Sequence, residues 1–249
     1  MLINKNIKTA VIIPARLKST RLPNKMILDI CGKPLIQRVY ERVKLSIADE
    51  VVVATDSEII FEIINKIGGK AVLTSEKHQS GTDRIAEAVE NINLKDFDFI
   101  VNVQGDEPLI DPNLINKIIN LAGKVEFASA MRKINNLDEI NNPNVVKVII
   151  NKFDEAIYFS RSPIPFNRDN NLNIKYFQHI GIYGYSREFL KIYSQMPETY
   201  LEKTEKLEQL RAIENGYKIK MVETETISIG VDTIEDLERV RKIICDQKI

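Results

Sequence analysis

The sequence of 249 residues has no excess of charge of either sign: 35 lysines and arginines face 35 aspartates and glutamates. A general nucleic-acid binder needs surplus cations, so that class is excluded, and any polyanionic ligand must be met by a local cluster of cations. Cysteine is nearly absent. Cys31 and Cys245 lie at opposite ends of the chain without metal-ligand spacing, which suggests reduced thiols in a cytosolic protein rather than a disulfide or zinc framework. The two histidines form no Ser/His/Asp or Cys/His set. No apolar run exceeds strand length, which excludes a membrane-spanning helix. The first nine residues carry lysines but no apolar core followed by a small-residue cleavage site, so no signal peptide is expected. No repeat is present, and the only linker-like stretch is 163–173. What remains is a globular balance, 44% apolar and 28% charged, long enough for one large α/β domain.

Short β-branched runs at 10–13, 51–54 and 99–103 are each followed by a loop and then a helical pattern. Continuous apolar runs of this length suit parallel strands buried on both faces. Apolar residues recur at helical spacing over 35–43, with Pro34 ahead of them, where a first-turn proline fits. Ser57 is placed to cap a helix through Ile67, and Thr82 one through Val89. The β-α-β-α-β-α-β alternation of the first 120 residues predicts an α/β fold with a doubly wound, mostly parallel, Rossmann-like sheet. Beyond residue 125 the pattern changes. Strands at 145–150, 156–160 and 180–185 succeed one another without a helix between each pair. Helices from about 187 and through 205–214, a strand at 218–222 and a last helix from 234 complete the chain. This reads as one domain, 1–249, with an antiparallel lobe inserted at about 125–200. Sites in such sheets lie beyond the carboxyl ends of strands, and the candidate motifs follow strands.

The first motif, Pro14-Ala15-Arg16-Leu17-Lys18-Ser19-Thr20-Arg21-Leu22-Pro23-Asn24-Lys25, holds four cations and no acid. Small and hydroxyl residues let backbone N–H groups approach phosphate oxygens while the cations neutralise them. It lacks the Walker signature and the glycine triad of a dinucleotide site, and reads instead as a cradle for a nucleoside triphosphate. The second, Val103-Gln104-Gly105-Asp106-Glu107-Pro108, ends a buried strand. Acids there would be desolvated without a compensating cation or donor. Asp106 is the best single ligand for Mg²⁺, which takes hard carboxylate oxygens and shares its shell with phosphates. Gly105 would let the backbone pass close to a ligand, and capping of the helix after Pro112 suits Asp111 better than either acid. In the third, Gly230-Val231-Asp232-Thr233, Asp232 is either a second carboxylate on the same ion or an N-cap partnered by Glu235. Spacing favours the cap, although Thr233 offers an equal one that would free Asp232.

Three further segments are less self-explanatory. His78-Gln79-Ser80-Gly81-Thr82-Asp83-Arg84 places a glycine and a hydroxyl at a helix start, fit to contact a base or sugar or to serve as an ordinary loop and cap. Arg161 follows a strand and suits a bidentate carboxylate contact. Over 179–185 the residues alternate, so His179, Gly181, Tyr183 and Tyr185 share one face, open to solvent or to a substrate.

Together these segments resemble the 3-deoxy-manno-octulosonate (Kdo) cytidylyltransferase family. The matching stretches include Ile12-Ile13-Pro14-Ala15-Arg16, Ser19-Thr20-Arg21-Leu22-Pro23, Val53-Ala54-Thr55-Asp56 and His78 to Arg84. They continue through Val101 to Pro108, Tyr158 to Arg161, His179 to Tyr185, Leu207-Glu208-Gln209-Leu210-Arg211 and Gly230 to Thr233, in order from about residue 8 to 241. The resemblance implies CTP and a Kdo-type sugar acid as substrates, and Mg²⁺ held by Asp106 and Asp232. It implies that Pro14, Ala15, Arg16, Ser19, Thr20, Arg21 and Lys25 lie at the CTP phosphates, with Ser80, Gly81, Thr82 and Arg84 at the nucleoside. Gln104, Arg161, His179, Tyr183, Glu208 and Gln209 are implied to form the sugar pocket, and Arg16, Lys25, Asp106 and Asp232 the catalytic set. A cytoplasmic homodimer serving lipopolysaccharide synthesis, associated through the antiparallel lobe, is also implied. Asn24 and Met26 stand where the family usually has glycine and proline, and Ser228-Ile229 replaces a proline-glycine lead into Gly230. Neither change removes a charge.

The implied reaction is attack of the sugar's anomeric hydroxyl on the α-phosphate of CTP, with pyrophosphate leaving. Rival readings are a cytidylyltransferase for 8-amino-Kdo or a sialic acid, an enzyme acting on a sugar 1-phosphate, a glycosyltransferase on a similar sheet, and a silent nucleotide-binding regulator. The segments from Arg161 to Arg211 argue against sialate and sugar 1-phosphate, and the missing Asp-x-Asp against a glycosyltransferase. Retention of both acids and the cationic loop argues against a silent regulator.

Overall fold

In the computed structural model, strand β1 (Thr9–Ala15) is buried at every position, as a β-branched run covered on both faces must be. The structure describes residues 7–19, 21–78, 80–91, 97–169, 174–226 and 228–247. A short hairpin, β2 (Asp29–Ile30) and β3 (Lys33–Pro34), leads into α1 (Leu35–Val43), which buries Leu35, Ile36, Val39, Tyr40 and Val43 as one stripe. The alternation continues through β4 (Glu50–Thr55), α2 (Glu58–Lys66), β5 (Lys70–Leu73), α3 (Gly81–Asn91), β6 (Phe99–Asn102) and α4 (Pro112–Ile119). Ser57 caps α2 by accepting from the Ile60 N–H, and Asp111 caps α4 by accepting from the Asn113 N–H. The cap of α3 departs from expectation. Thr82 precedes the apolar spacing, but the helix already begins at Gly81, so Ser80 Oγ takes the Asp83 N–H at 3.1 Å and Thr82 is buried inside the helix.

The second half comprises β7 (Phe127–Lys133), α5 (Leu137–Asn141), β8 (Lys147–Ile150), β9 (Ala156–Ser160), β10 (Phe177–Ser186), α6 (Arg187–Gln195), α7 (Tyr200–Glu205), α8 (Leu210–Glu214), β11 (Lys220–Glu223) and α9 (Ile234–Gln247). Sequence patterning misses β7, because Ala128, Ser129 and Ala130 have little strand preference of their own. They are held extended by pairing with β10 and β11 on either side. The single helix anticipated through 205–214 is two. Lys206 takes the left-handed conformation at φ 54°, which ends α7, and residues 207–209 form a turn before α8.

Among the described residues nine strands form one sheet, ordered β11-β7-β10-β6-β1-β4-β5, with β8 paired to β10 and β9 to β8. The run β6-β1-β4-β5 is parallel, and β10 lies antiparallel between β6 and β7. A register shift between Ile180 and Tyr183 bends β10, and its first residues pair with β8, from which β9 folds back. The antiparallel lobe is thus a hairpin hung on a bent strand of the main sheet. One apolar layer joins α1, α2, α4 and α9 to one face of the sheet, and a second joins α3, α6 and α8 to the other. This is the doubly wound architecture that the alternation predicted.

One expectation is overturned at the chain's extremes. Cys31, in the β2–β3 turn, is disulfide-bonded to Cys245 on α9, with Cα atoms 5.8 Å apart. Distance in sequence disguised the pairing, which arises because α9 returns to pack beside β2.

Candidate active site

Strands β1 and β6 are paired neighbours, and three segments converge beyond their carboxyl ends. Asp106 follows β6, Asp232 precedes α9, and Lys25 opens a 3₁₀ turn, Lys25–Ile27, after the basic loop. Lys25 Nζ donates to Asp106 Oδ2 at 2.6 Å, to Asp232 Oδ1 at 2.9 Å and to the Val231 carbonyl at 3.0 Å. The Val231 N–H donates to the Asp106 carbonyl at 2.9 Å, so main chain fastens the two acid-bearing segments together. On the solvent side Arg21 reaches the second oxygen of Asp232 at 3.0 Å. Burial works against the charge on Lys25, but Asp106 and then Asp232 outweigh it and hold the ammonium above its ordinary range.

Asp232 is free for this role because Thr233 caps α9. Thr233 Oγ1 accepts the Asp236 N–H at 3.2 Å, and Asp236 returns bonds to the N–H groups of Asp232 and Thr233. The capping partner is Asp236 rather than Glu235. Among the described residues no three His, Cys, Asp or Glu side chains group as an ion site. A pair suffices for Mg²⁺, which commonly takes one or two carboxylates and completes its shell with phosphates and water. The ammonium held jointly by Asp106 and Asp232 demonstrates that their oxygens converge on a seat for positive charge. Glu107 differs from its neighbour: burial, and then the charge of Asp106, push its carboxyl up to about 7.

Pro14, Ala15, Arg16, Ser19, Arg21, Lys25, Ser80, Gly81, Arg84, Gln104, Asp106 and Asp232 line one cleft of about 460 Å³, together with Lys18, Met26, His78 and Gly105. Of the phosphate and nucleoside residues expected from sequence, Thr20 lies outside the described residues and Thr82 is buried within α3. A larger groove of about 960 Å³ runs along the lobe between Ile134, Leu137, Pro165 and Phe166, but no carboxylate lines it. The chemistry selects the smaller cleft.

Local backbone explains two residues of this cleft. A Cβ on Gly105 would meet the Pro14 carbonyl oxygen at 2.8 Å, so this glycine serves close contact between the segment after β6 and the end of β1 rather than approach to a ligand. Asn24 has φ 56°. Asparagine tolerates that left-handed conformation better than most side chains, which lets it stand where the resembled family has glycine.

Arg84 is buried and engaged, donating to Asp56 Oδ2 at 2.8 Å and Thr74 Oγ1 at 2.5 Å. Asp56 Oδ1 also accepts the Leu17 N–H at 3.3 Å, so this acid at the end of β4 ties the basic loop to the start of α3. Glu87 does the same for the segment ahead of α3, accepting the Ser75 N–H at 2.9 Å and bonding the His78 ring. Asp56 carried a signal in the sequence, an acid directly after a buried strand; Glu87 carried none beyond its helical position.

Gln104 Nε2 donates to the Gly181 carbonyl at 3.4 Å, joining the cleft to the bend in β10. Beyond it runs a hydrogen-bond chain of one consistent polarity. Tyr183 donates to Gln209 Oε1 (3.3 Å), Gln209 Nε2 to His179 Nδ1 (3.3 Å), His179 Nε2–H to Ser129 Oγ (2.9 Å), and Ser129 to the Ile182 carbonyl (2.9 Å). The donors and acceptors on either side assign the Nε2–H tautomer. Burial pushes His179 down to about 3, so its imidazole is neutral near pH 7. Ser129 is a functional candidate that sequence reasoning missed, since nothing distinguishes it between two alanines.

Glu208 and Gln209 lie in the turn between α7 and α8. Burial raises the Glu208 carboxyl, against the Thr82 hydroxyl and Arg211, and its Oε1 is buried without a hydrogen-bond partner among the described residues. Arg211 fixes this turn by gripping Glu202 with Nε (2.8 Å) and Nη2 (2.5 Å) while lying over the Tyr193 ring. Arg161 is not brought into the cleft. Its Nε donates to the Glu205 carbonyl at 2.7 Å and its Nη1 to the Pro143 carbonyl at 2.9 Å, bracing α7 against the lobe.

Comparison with known proteins bears on the whole length of this arrangement. A cytidylyltransferase family model matches residues 10–221. The 3-deoxy-manno-octulosonate cytidylyltransferase of Flavobacterium johnsoniae is 47% identical over 245 residues, 96% of this chain and 99% of that protein. The protein of the same name from Francisella tularensis subsp. holarctica is 50% identical over 242 residues, 94% of this chain and 97% of its own. A solved CMP:2-keto-3-deoxy-manno-octonic acid synthetase complexed with CTP superposes with a TM-score of 0.91 at 40% identity, covering 96% of this chain and 99% of that one. The cleft, the fold and the full-length identity agree, and the chain belongs to the 3-deoxy-manno-octulosonate cytidylyltransferase family.

Proposed function

We propose that this chain transfers CMP from CTP to the anomeric hydroxyl of Kdo, giving CMP-Kdo and pyrophosphate. The observation that carries the reading is the meeting of Lys25, Asp106 and Asp232 beyond β1 and β6, in a cleft lined by Arg16 and Arg21. In the reaction the sugar hydroxyl oxygen bonds to the α-phosphorus, the bond from that phosphorus to the pyrophosphate oxygen breaks, and the hydroxyl proton is released. Mg²⁺ held by Asp106 and Asp232 would lower the pKa of the attacking hydroxyl and offset charge at the α-phosphate. Arg16, Lys18, Arg21 and Lys25, with Ser19 and the loop amides, supply cations and donors to the departing pyrophosphate. Ser80 and Gly81, at the start of α3, bound the cleft on the nucleoside side.

Selection of the sugar falls to the neutral chain of Tyr183, Gln209, His179 and Ser129 and to the unpartnered Glu208 oxygen. A pocket built to pair with hydroxyls discriminates well, because an acceptor lacking one leaves buried polar groups unmatched. Arg161 would clamp the sugar carboxylate by exchanging a main-chain carbonyl for it. The exposed Leu137 and Phe166 beside the lobe groove support association of two copies there. A cytoplasmic site of action follows from CTP as the donor, and lipopolysaccharide assembly is the natural destination of the product. The Cys31–Cys245 bond is unusual for that compartment. No described helix is long and apolar enough to cross a membrane.

Pyrophosphate release from each of the four nucleoside triphosphates, against Kdo, 8-amino-Kdo and sialic acid, tests the reading. Turnover of CTP with Kdo supports it; turnover confined to sialic acid, or to another nucleotide, overturns it.

A further inference from the structure

We propose that Lys25 is a resident counter-ion of the Asp106–Asp232 pair, seated between the two carboxylates until a triphosphate draws it away, so that divalent cation and nucleotide bind as a coupled event. The inference rests on the assignment of these two acids as the ion's ligands.

Three observations support it. The Lys25 side chain is 9% exposed, and its contacts with Asp106, Asp232 and the Val231 carbonyl use all three protons of the ammonium. In this position it has no donor left for a phosphate. The main-chain bond between Val231 and Asp106 holds the two acids close whatever their side chains do, so without a cation their like charges would oppose each other at short range. Arg21, at 69% exposure, reaches the outer oxygen of Asp232 and is too solvated to replace the buried ammonium.

The same atom therefore stands where a divalent ion would have to bind, and both cannot hold the facing carboxylate oxygens at once. A triphosphate resolves the competition by offering the ammonium new anionic acceptors on a flexible four-carbon stem. The lysine then moves from carboxylates to phosphate, and the carboxylates become available to the ion without an uncompensated charge at any stage. Since the competent arrangement is a minor one while the lysine is seated, apparent affinity for the ion alone is lowered by that fraction. Linkage requires that ion and nucleotide strengthen each other's binding equally.

The test uses Mn²⁺ as the probe and its free electron paramagnetic resonance signal as the readout, on the full chain without nucleotide. Wild-type protein should have no Asp106-dependent Mn²⁺ site tighter than about 1 mM, an affinity in the weak range. Lys25→Met, which keeps the length but removes the charge, should bind Mn²⁺ at least about tenfold more tightly. Adding Asp106→Asn to that variant should abolish the gain. Unchanged or weaker Mn²⁺ binding by a folded Lys25→Met overturns the proposal. So does a tight Mn²⁺ site in nucleotide-free wild type that is lost in Asp106→Asn, a measurement that needs no lysine variant. The CMP-transfer reading is judged separately, by pyrophosphate release from wild type, so either conclusion can fail without the other.

Discussion

Lys25, Asp106 and Asp232 meet as full charges on loops beyond the strand ends, whereas Tyr183 and His179 on a bent strand meet Ser129 of β7 and Gln209 of the α7–α8 turn as neutral groups inside the fold. The first cluster is balanced by opposite charges within it and lies in a cleft open to solvent. The second is balanced by directional hydrogen bonds between neutral donors and acceptors. The contrast suits the tasks proposed for them. A triphosphate and its ion bring large charges that must be met by charges able to exchange partners, while a sugar is told from its neighbours by fixed donors and acceptors.

That contrast can be broken first at the charged end. Asp106→Asn keeps the shape of the side chain but removes its charge, and turnover should fall by about 10³-fold or more with the circular dichroism spectrum intact. Turnover within about tenfold of wild type in excess Mg²⁺ would remove Asp106 from the ion. At the neutral end, His179→Gln leaves Ser129 and Gln209 with mismatched partners, worth about 1–3 kcal/mol. The sugar KM should rise by about tenfold to a hundredfold with the CTP KM little changed. Equal changes in both constants would mean that the two ends are not separate.

The same residue sharpens the comparison through pH. His179 takes a proton in the folded state only near pH 3, but in the unfolded chain near its ordinary value of 6.5. Between those values the unfolded state binds the extra proton, so this residue makes stability fall as pH drops below 6.5. The slope it contributes approaches about 1.4 kcal/mol per pH unit, and the stability of His179→Gln from denaturant melts should depend on pH less steeply by this amount over that range. Arg161→Ala should raise the sugar KM several-fold while sparing that of CTP, and an unchanged sugar KM would reduce Arg161 to a brace for the lobe. The smallest effect belongs to the basic loop. Asn24→Ala forces alanine into the left-handed region at a cost of about 1 kcal/mol in thermal melts, and Asn24→Gly should escape it.

Legibility in the sequence follows the same division. Strands β1, β4 and β6 were readable because burial on both faces demands continuous β-branched runs, α1 because of its apolar stripe behind Pro34, and α2 and α4 because a stripe and a cap are local signals. The basic loop and Asp106 could be recognised because charge clustered directly after a strand has few structural uses. Strand β7 was hidden, since its Ala-Ser-Ala run is extended only by its neighbours. The break at Lys206 was hidden too, because a lysine in the left-handed region leaves no mark in composition. Spacing alone left Asp232 between cap and ligand, and the structure gives the cap to Thr233 and Asp236.

By itself the sequence determined the buried parallel strands, the striped and capped helices and where charge is concentrated, because hydrophobic period, caps and charge runs act over a few neighbouring residues. Tertiary structure decided which of those charges meet. Lys25 and Asp232 are 207 residues apart, and the Cys31–Cys245 link spans 214. Both pairings depend on α9 folding back over the sheet to the segment that follows β1, a closure set by burial of Leu237, Val240 and Ile244 in the common core rather than by any motif at either end.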